Sequence, residues 1–304
     1  DFNGDDIDDL TFGHHDGQIR FYEGYHDSTG SGFQEVMLNI SNLQSEVKMV
    51  LWADIDNDGD QDLFVANRFS SNKIWRNDGD MEFTDITSES GISLTPETKS
   101  YGASFGDYDN DGFLDLYICN FHTYVINFEN ELYHNNGDGT FTDVTESAGV
   151  GDGLKESFQS TWIDIDKDGL LDLHVINDRF PTANSFYHNN GDGTFTDFAP
   201  LWGLDISICA MTSSFSDYDQ DGDMDLYVTN CNAPNYLLRN DLNTSGVFEE
   251  IGAQEEVEVG QISWGASWFD YDNDTWPDLY VATGVTVYIE IPSVFDFYGY
   301  LPNQ

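Results

Sequence analysis

Lysine and arginine are scarce in this sequence. The 304 residues include 10 basic side chains against 57 acidic ones, and the formal net charge is −47 at pH 7. A chain this acidic repels phosphate groups and anionic lipid headgroups, so the composition argues against nucleic acid as a partner. No apolar run approaches the length of a membrane-spanning helix. We therefore expect no nucleic acid partner and no membrane insertion in this part of the chain.

Cysteine is rarer still, with three residues at Cys119, Cys209 and Cys231. Three cysteines do not make a disulfide scaffold. Cys209 and Cys231 flank one predicted hairpin on its two strands, so a bridge between them is one interpretation. The interpretation that the sequence favours is three buried free thiols.

Acidic disordered chains contain few aromatic residues, but Phe, Trp and Tyr make up 15% of this chain. The chain therefore has a core to bury. It shows no signal peptide at its start, and its first residue already lies in a repeated motif. We expect this sequence to be part of a larger multidomain chain.

What the sequence does contain is one decapeptide in six copies. The copies read DFNGDDIDDL, DIDNDGDQDL, DYDNDGFLDL, DIDKDGLLDL, DYDQDGDMDL and DYDNDTWPDL, and they begin at Asp1, Asp54, Asp107, Asp164, Asp217 and Asp270. Successive starts are 53, 53, 57, 53 and 53 residues apart. A fixed period in this range is typical of solenoids, propellers and arrays. Since no linker separates the copies, residues 1–304 are predicted to form a single domain.

The decapeptide has the chemistry of a calcium loop. In the third copy, carboxylates occupy the first, third, fifth and ninth places from Asp107, and Gly112 occupies the sixth. Oxygen ligands on alternate residues, a glycine at the bend and a late carboxylate that can bind through both oxygens suit Ca²⁺, which takes about 6–8 oxygens. The run of Leu116, Tyr117 and Ile118 that follows is typical of a strand, so the loop joins two strands. We predict several bound Ca²⁺ ions, up to six.

Each unit is predicted to form four short strands. In the second unit, MVLWAD leads into the loop, DLFVANR leaves it, NKIWRN forms the third strand and MEFTDIT the fourth. The strand before each loop is rich in small residues, as in SYGASFGD and CAMTSSFSD, which suits strands crowded near a central axis. The predicted fold is therefore all-β, a β-propeller of four-stranded blades. The units lie near residues 1–47, 48–99, 100–156, 157–208, 209–261 and 262–304.

Two motifs in the sequence resemble a known family. An F-G or W-G-A strand followed by DxDxDGxxDL resembles the FG-GAP/VCBS repeats of the integrin α-subunit propeller. The phrase NELYHNNGDGTFTDVT and its copies are most similar to the secreted ASPIC and cartilage acidic protein group and its bacterial relatives. The resemblance covers essentially the whole chain. It implies a truncated seven-bladed propeller, of which about six blade units are expected here.

The resemblance also implies which groups bind the metal, namely the side chains at places one, three, five and nine and the main-chain carbonyl at place seven. Carried onto this sequence, it assigns Asp1, Asn3, Asp5 and Asp9; Asp54, Asp56, Asp58, Asp60 and Asp62; Asp107, Asp109, Asp111, Phe113 and Asp115; Asp164, Asp166, Asp168, Leu170 and Asp172; Asp217, Asp219, Asp221, Asp223 and Asp225; and Asp270, Asp272, Asp274 and Asp278.

We expect the first and sixth loops to be the weakest sites. In the first loop, Asn3 and Asp6 stand where other copies have Asp and Gly. In the sixth, Thr275 replaces the glycine and Pro277 stiffens the exit, which we expect to disturb the bend.

Two functions fit these features. The first is a secreted or cell-surface calcium-binding propeller that serves adhesion or binds an extracellular protein or glycan through loops opposite the metal face. The candidate loops are His122 to Glu129, Arg179 to Ala183, Asn232 to Pro234 and Gly284 to Tyr300. Their candidate contact rings, for each of which packing between blades is the alternative, are Phe121, Tyr124, Phe128, Phe180, Tyr288, Phe295, Phe297 and Tyr298.

The second function is a calcium-dependent carbohydrate-active enzyme, a polysaccharide lyase or dehydratase, on the same propeller. The seven histidines come with no nucleophile or partner at a diagnostic spacing, and there is no zinc pattern, P-loop or G-x-S-x-G motif. We therefore predict no catalytic residues and no enzyme activity.

Overall fold

The computed structural model describes residues 1–28, 30–41, 43, 45–95, 99–121, 128–232 and 234–284. These residues form six antiparallel sheets and two helices of four residues, α1 (Thr145–Ala148) and α2 (Ala199–Trp202). The prediction of an all-β chain is confirmed.

The strands follow the decapeptide repeat, sheet by sheet. The first sheet contains β1 (Leu10–Gly13), β2 (Ile19–Asp27) and β3 (Gly30–Val36). The four complete sheets contain β4 (Val47–Ala53), β5 (Asp62–Asn67), β6 (Lys73–Asn77) and β7 (Phe83–Asp85); β8 (Ser100–Gly106), β9 (Asp115–Asn120), β10 (Glu131–Asn135) and β11 (Phe141–Asp143); β12 (Ser157–Ile163), β13 (Asp172–Asn177), β14 (Ser185–Asn189) and β15 (Phe195–Asp197); and β16 (Ala210–Ser216), β17 (Asp225–Asn230), β18 (Tyr236–Asp241) and β19 (Val247–Glu250). The described part of the sixth sheet contains β20 (Ser263–Phe269) and β21 (Asp278–Thr283).

In each complete sheet the first strand runs into the decapeptide and the second strand begins on its ninth residue. In the third unit, Gly106 at the end of β8 pairs with Asp115 at the start of β9. Every residue of β9 is buried, because this strand lies between two others and is covered by the neighbouring sheets on both faces. The decapeptide therefore closes the hairpin between the two inner strands of a sheet.

Neighbouring sheets stack as the blades of a propeller. Strand β8 packs against β4 on one side and β12 on the other, and β16 continues the series to β20. The space between the second and third sheets is filled by a core that includes Phe64, Ile74, Leu116 and Ile118. Four-stranded sheets whose innermost strands are successive neighbours form a β-propeller, which confirms the predicted fold.

An asparagine just before the third strand ties the second, third and fifth blades to the blades that follow them. Asn72 Nδ2 donates a hydrogen bond to Ser100 Oγ at 3.0 Å. The same bond joins Asn130 to Ser157 and Asn235 to Ser263. In the fourth blade the equivalent amide belongs to Asn184, and Ala210 of the fifth blade stands where the third, fourth and sixth blades have serine. Asn184 Nδ2 is buried with no hydrogen-bond partner among the residues that the structure describes.

Substituting Ala210→Ser is expected to raise the free energy of unfolding by about 1 kcal/mol, because an unsatisfied buried donor costs about 1–3 kcal/mol. The new hydroxyl would accept from Asn184 and donate to Asn230, as Ser100 donates to Asn120 at 2.8 Å. Urea unfolding with calcium present measures the change. As a control, Ala103→Ser buries a hydroxyl at a place without this asparagine and should destabilise. Equal losses in both variants would contradict the prediction.

The two cysteines that flank the fifth hairpin form a disulfide, which corrects the sequence-based preference for three free thiols. Cys209 and Cys231 have Cα atoms 5.3 Å apart and a bond between their sulfurs. They lie just outside β16 and β17, where Cys231 N donates to Cys209 O at 2.9 Å and brings the side chains together. Cys119 is free and buried, and its burial raises the thiol pKa to about 12.

Several predicted features lie outside the described residues. These are residues 122–127, 233 and 285–300 of the candidate contact loops, with the rings of Tyr124, Tyr288, Phe295, Phe297 and Tyr298. Within the described ranges, no helix is long and apolar enough to cross a bilayer.

Candidate metal centres

The first aspartate of each decapeptide holds the loop closed by accepting hydrogen bonds from the backbone. In the third loop, Asp107 Oδ1 accepts from Asp111 N and Oδ2 accepts from Gly112 N, both at 3.0 Å. The bend needs left-handed backbone, with φ of +58° at Asn110 and +93° at Gly112, and asparagine and glycine are the residues that adopt it most readily.

The aspartates at the third and fifth places of the decapeptide each accept one backbone hydrogen bond within the loop. Asp109 Oδ1 accepts from Asp111 N at 3.3 Å, and Asp111 Oδ1 accepts from Phe113 N at 2.9 Å. Within this loop, ligand oxygens of Asp107, Asp109 and Asp111 all lie within 4.8 Å of one another, and the second loop brings Asp54, Asp56 and Asp58 equally close. The structure therefore brings together the first, third and fifth residues that the sequence predicted as ligands.

The aspartate at the ninth place of the decapeptide is buried and joins the loop to the sheet. Asp115 is 0% exposed. Its Oδ2 accepts from Tyr108 N at 3.2 Å, and its Oδ1 accepts from Asn135 N in the third strand at 2.8 Å. The second, fourth and fifth blades repeat both bonds through Asp62, Asp172 and Asp225. Metal binding through both oxygens of the aspartate at the ninth place stays a prediction. In the structure, both oxygens accept hydrogen bonds that anchor the hairpin.

These carboxylates are costly to bury without a counter-ion. Burial, with a smaller contribution from the charges of the neighbouring loop aspartates, raises the pKa of Asp62 and of Asp225 to about 7. Buried carboxylate oxygens without a hydrogen-bond partner, within the ranges that the structure describes, are Asp56 Oδ1, Asp217 Oδ1 and Asp223 Oδ1. Buried, unpaired and mutually repelling oxygens are the donor set that a hard divalent cation binds, so the residues present fit Ca²⁺.

The third strand of each complete blade places a basic side chain near its loop. His134 Nδ1 lies 3.3 Å from Asp109 Oδ2 and 3.2 Å from Asp115 Oδ1. The equivalent places hold Arg76, His188 and Arg239. His134 and His188 occupy equivalent places in the repeated phrase, and both contact loop carboxylates.

Side chains at the fourth place link successive loops in a series that the sequence did not reveal. Asn57 Nδ2 donates to the carbonyl of Gly112 at 2.8 Å, and Asn110 Nδ2 donates to that of Gly169 at 3.0 Å. The same place in the next two loops joins Lys167 to Gly222 and Gln220 to Thr275. We call this series of contacts between neighbouring loops the loop relay.

The first and sixth loops close with the same bonds as the others. Asp6 and Thr275 occupy the sixth place with φ of +66° and +77°, and Thr275 N donates to Asp270 Oδ2 at 2.9 Å. The expected disturbance of the sixth bend is therefore not seen. A threonine in left-handed backbone is strained, and the expectation that the sixth loop is a weak metal site stays a prediction.

The asparagines of the third strand were quoted in the sequence phrase, but their role was missed. Asn135 Nδ2 donates to the carbonyls of Leu114 and of Ile55, which lies in the loop of the preceding blade. Asn189 makes the same pair of bonds to Leu171 and Tyr108. Their recurrence at one place in every phrase was the available signal, but contacts between blades cannot be read from spacing alone.

Comparison with known proteins agrees with this geometry. A family model described as FG-GAP-like repeat matches residues 1–65, 54–118, 124–175, 164–228 and 217–281. Cartilage acidic protein 1 of Homo sapiens is 26% identical over 214 residues, which cover 68% of this chain and 31% of that protein. Cartilage acidic protein 1 of Mus musculus is 26% identical over 214 residues, covering 68% of this chain and 32% of that protein. The chain thus spans about a third of the length of these relatives.

Solved structures share the fold. The crystal structures of BBS1N in complex with ARL6DN, soaked with lead or with mercury, give TM-scores of 0.52 and 0.54 at 11% and 10% identity. Both cover 93% of this chain, and the chain covers 72% and 74% of those structures. At these identities the likeness concerns the fold alone. The repeat matches extend over residues 1–118 and 124–281, and by this extent the chain belongs to the FG-GAP-like repeat family.

Proposed function

We propose that this chain is a secreted or cell-surface β-propeller that binds several calcium ions and serves adhesion or the binding of an extracellular protein or glycan. The observation that carries the calcium assignment is the loop geometry. The same backbone bonds recur in the decapeptides, and in the second and third loops carboxylate oxygens from three places lie within 4.8 Å of one another. An ordinary Asp-Gly turn has no need of four carboxylates at fixed places.

In the third loop the proposed ligands are Asp107, Asp109, Asp111, Asp115 and the carbonyl of Phe113. A bound Ca²⁺ ion would supply positive charge to neutralise these oxygens. The chain's own contribution is positional, since the bonds to Asp107 fix the loop and the bonds to Asp115 fix the hairpin behind it. Calcium would then stabilise the inner hairpin of each blade.

Two features support an extracellular location. The disulfide between Cys209 and Cys231 is stable in an oxidising compartment and rare in the cytosol. Calcium sites of extracellular modules have dissociation constants of about 10⁻⁴–10⁻³ M, a range that suits millimolar extracellular calcium. The matched relatives are named cartilage acidic protein, and the name agrees with this location.

Binding is proposed in preference to catalysis because the prominent titratable side chains already have structural partners. The loop aspartates hold backbone amides, and His134 and His188 contact loop carboxylates. The residues that the structure describes offer no observation that favours the carbohydrate-active enzyme.

Isothermal titration of the calcium-free chain with CaCl₂ tests the metal assignment. We expect about four to six ions per chain with dissociation constants of about 10⁻⁴–10⁻³ M. Mg²⁺ should compete poorly, because it demands a smaller octahedral site. No heat and no change in melting temperature at 5–10 mM CaCl₂, roughly ten times the expected dissociation constant, would overturn the assignment.

A further inference from the structure

Four of the 10 basic residues of the chain lie together at the ends of the blades opposite the metal loops. Lys48 is in β4, Arg68 follows β5, Lys99 precedes β8 and Arg179 follows β13. We call these residues the cation cluster. Three successive blades contribute to it, so it is assembled by the propeller and not by one local segment.

Aromatic rings connect the members of the cation cluster. Lys48 Nζ lies 4.6 Å and the Arg68 guanidinium 5.6 Å from the ring centre of Tyr101. Arg68 is also 4.8 Å and Lys99 is 5.8 Å from the ring centre of Phe69. In each contact the negative face of the ring attracts the cation. The shared rings therefore hold like charges close together.

The fourth cation joins through a stack of two rings. The Arg179 guanidinium is 5.4 Å from the ring centre of Phe121, and Phe121 stacks on Tyr101 with centroids 4.6 Å apart. Phe121 is buried, whereas Phe69 is 58% exposed and Phe180, next to Arg179, is 77% exposed. The surface thus presents cations alongside open apolar rings.

Nearby carboxylates neutralise only part of the positive charge of the cation cluster. Glu46 pairs with Lys48 at 2.6 Å and with Arg68 at 2.9 Å, and Asp178 Oδ2 lies 3.7 Å from Arg179 Nε. No carboxylate of the described residues lies within 4.0 Å of Lys99 Nζ. Burial, followed by the charges of Arg68 and Arg179, lowers the pKa of Lys99. An added anion at this place would relieve that repulsion.

The acidic loops are too far away to cancel this attraction. Strand β8, of seven residues, separates Lys99 from the third metal loop by roughly 20 Å. At physiological ionic strength the screening length is about 8 Å. An anionic ligand at the cation cluster therefore experiences the nearby positive charges far more than the distant carboxylates.

We propose that the cation cluster binds an acidic polysaccharide, with carboxylate or sulfate groups on Lys99, Arg68 and Arg179 and sugar faces against the exposed rings of Phe69 and Phe180. The inference rests on the proposed binding function and names its ligand class. Cations supplied at intervals by three blades across an open face suit a ligand with regularly repeated anionic groups. Flat exposed rings suit the apolar faces of sugar units.

The test measures binding of the whole chain, in CaCl₂ and 0.15 M NaCl, to immobilised dextran sulfate, hyaluronate and neutral dextran. We expect binding to dextran sulfate or hyaluronate and none to dextran. Lys99→Gln and Arg179→Gln should each weaken binding about tenfold, as expected for one charge-assisted contact. Lys99→Arg should restore most of the affinity. Arg20→Gln, which removes an exposed cation outside the cluster, is the matched control and should leave binding unchanged.

Two results would overturn the inference. These are absence of binding to both charged polysaccharides and equal weakening by Arg20→Gln. Melting curves of each variant establish that it is folded, and Arg179 is suited to this test because its side chain is 52% exposed. If calcium binds but no acidic polysaccharide does, this inference fails while the proposed calcium-binding propeller stands.

Discussion

Removing calcium with EDTA is expected to lower the melting temperature of this protein by about 5–20 °C. At 1 mM calcium, a site with a dissociation constant of about 10⁻⁴–10⁻³ M contributes roughly 0.5–1.5 kcal/mol by mass action. The four middle loops together would then contribute roughly 2–6 kcal/mol, and each kcal/mol shifts the melting temperature of a domain of this size by about 2–4 °C. Differential scanning calorimetry with and without EDTA measures the shift.

The pH dependence of melting provides an internal control. In the calcium-free chain, the pKa of Asp62 and of Asp225 is about 7, raised from 3.8 by burial. A carboxyl group with a raised pKa in the folded state contributes stability at low pH that is lost as the pH rises through 7. In EDTA, the melting temperature should therefore fall between about pH 4 and pH 7 and level off above pH 7, and calcium should reduce that fall. Identical melting with and without EDTA at pH 8 would contradict structural calcium.

Substituting Asp115→Asn is expected to cost about 2–4 kcal/mol of unfolding free energy, even with EDTA present. Both oxygens of Asp115 accept buried backbone amides, from Tyr108 and from Asn135. The asparagine side chain offers one acceptor, so one amide N–H is left facing a donor, at a cost of about 1–3 kcal/mol. The contact with His134 at 3.2 Å is weakened as well. Chemical denaturation in calcium and in EDTA measures the loss.

The matched control is Asp138→Asn in the same blade. Asp138 is exposed, and its oxygen accepts from Thr140 N at 3.1 Å within a local turn, so its loss should change stability by about 0.5 kcal/mol or less. If Asp115→Asn were destabilising only in calcium, Asp115 would act only as a metal ligand. Its role in anchoring the hairpin would then be refuted.

Much of the fold could be predicted because the sequence repeats one loop motif with the same flanking strands. The decapeptides beginning at Asp54, Asp107, Asp164 and Asp217 specify a loop by composition, and the apolar runs on either side specify strands. A period of about 53 residues then specifies the blade. Local chemistry and repetition therefore predict the hairpin and its carboxylates.

Interactions between units were not predictable in the same way. The bond from Asn135 to Ile55 joins residues 80 positions apart. It does not follow from spacing within one unit. The cation cluster is also nonlocal, because its four residues are spread between positions 48 and 179 and meet only when three blades are side by side.

The loop relay has a consequence for how such chains can diversify. Its donors are an asparagine, a lysine or a glutamine, and each reaches a main-chain carbonyl of the following loop. A carbonyl is present whatever side chain the following unit carries, so duplicated units can drift or recombine without losing this contact. Gly4 stands at the donor place of the first loop and has no side chain to donate. The seam after that unit relies on side-chain contacts, among them the Phe2 ring stacked at 5.1 Å on Trp52 and the hydrogen bond from Trp52 Nε1 to Thr11 Oγ1, so an exchange of units there must preserve specific side chains.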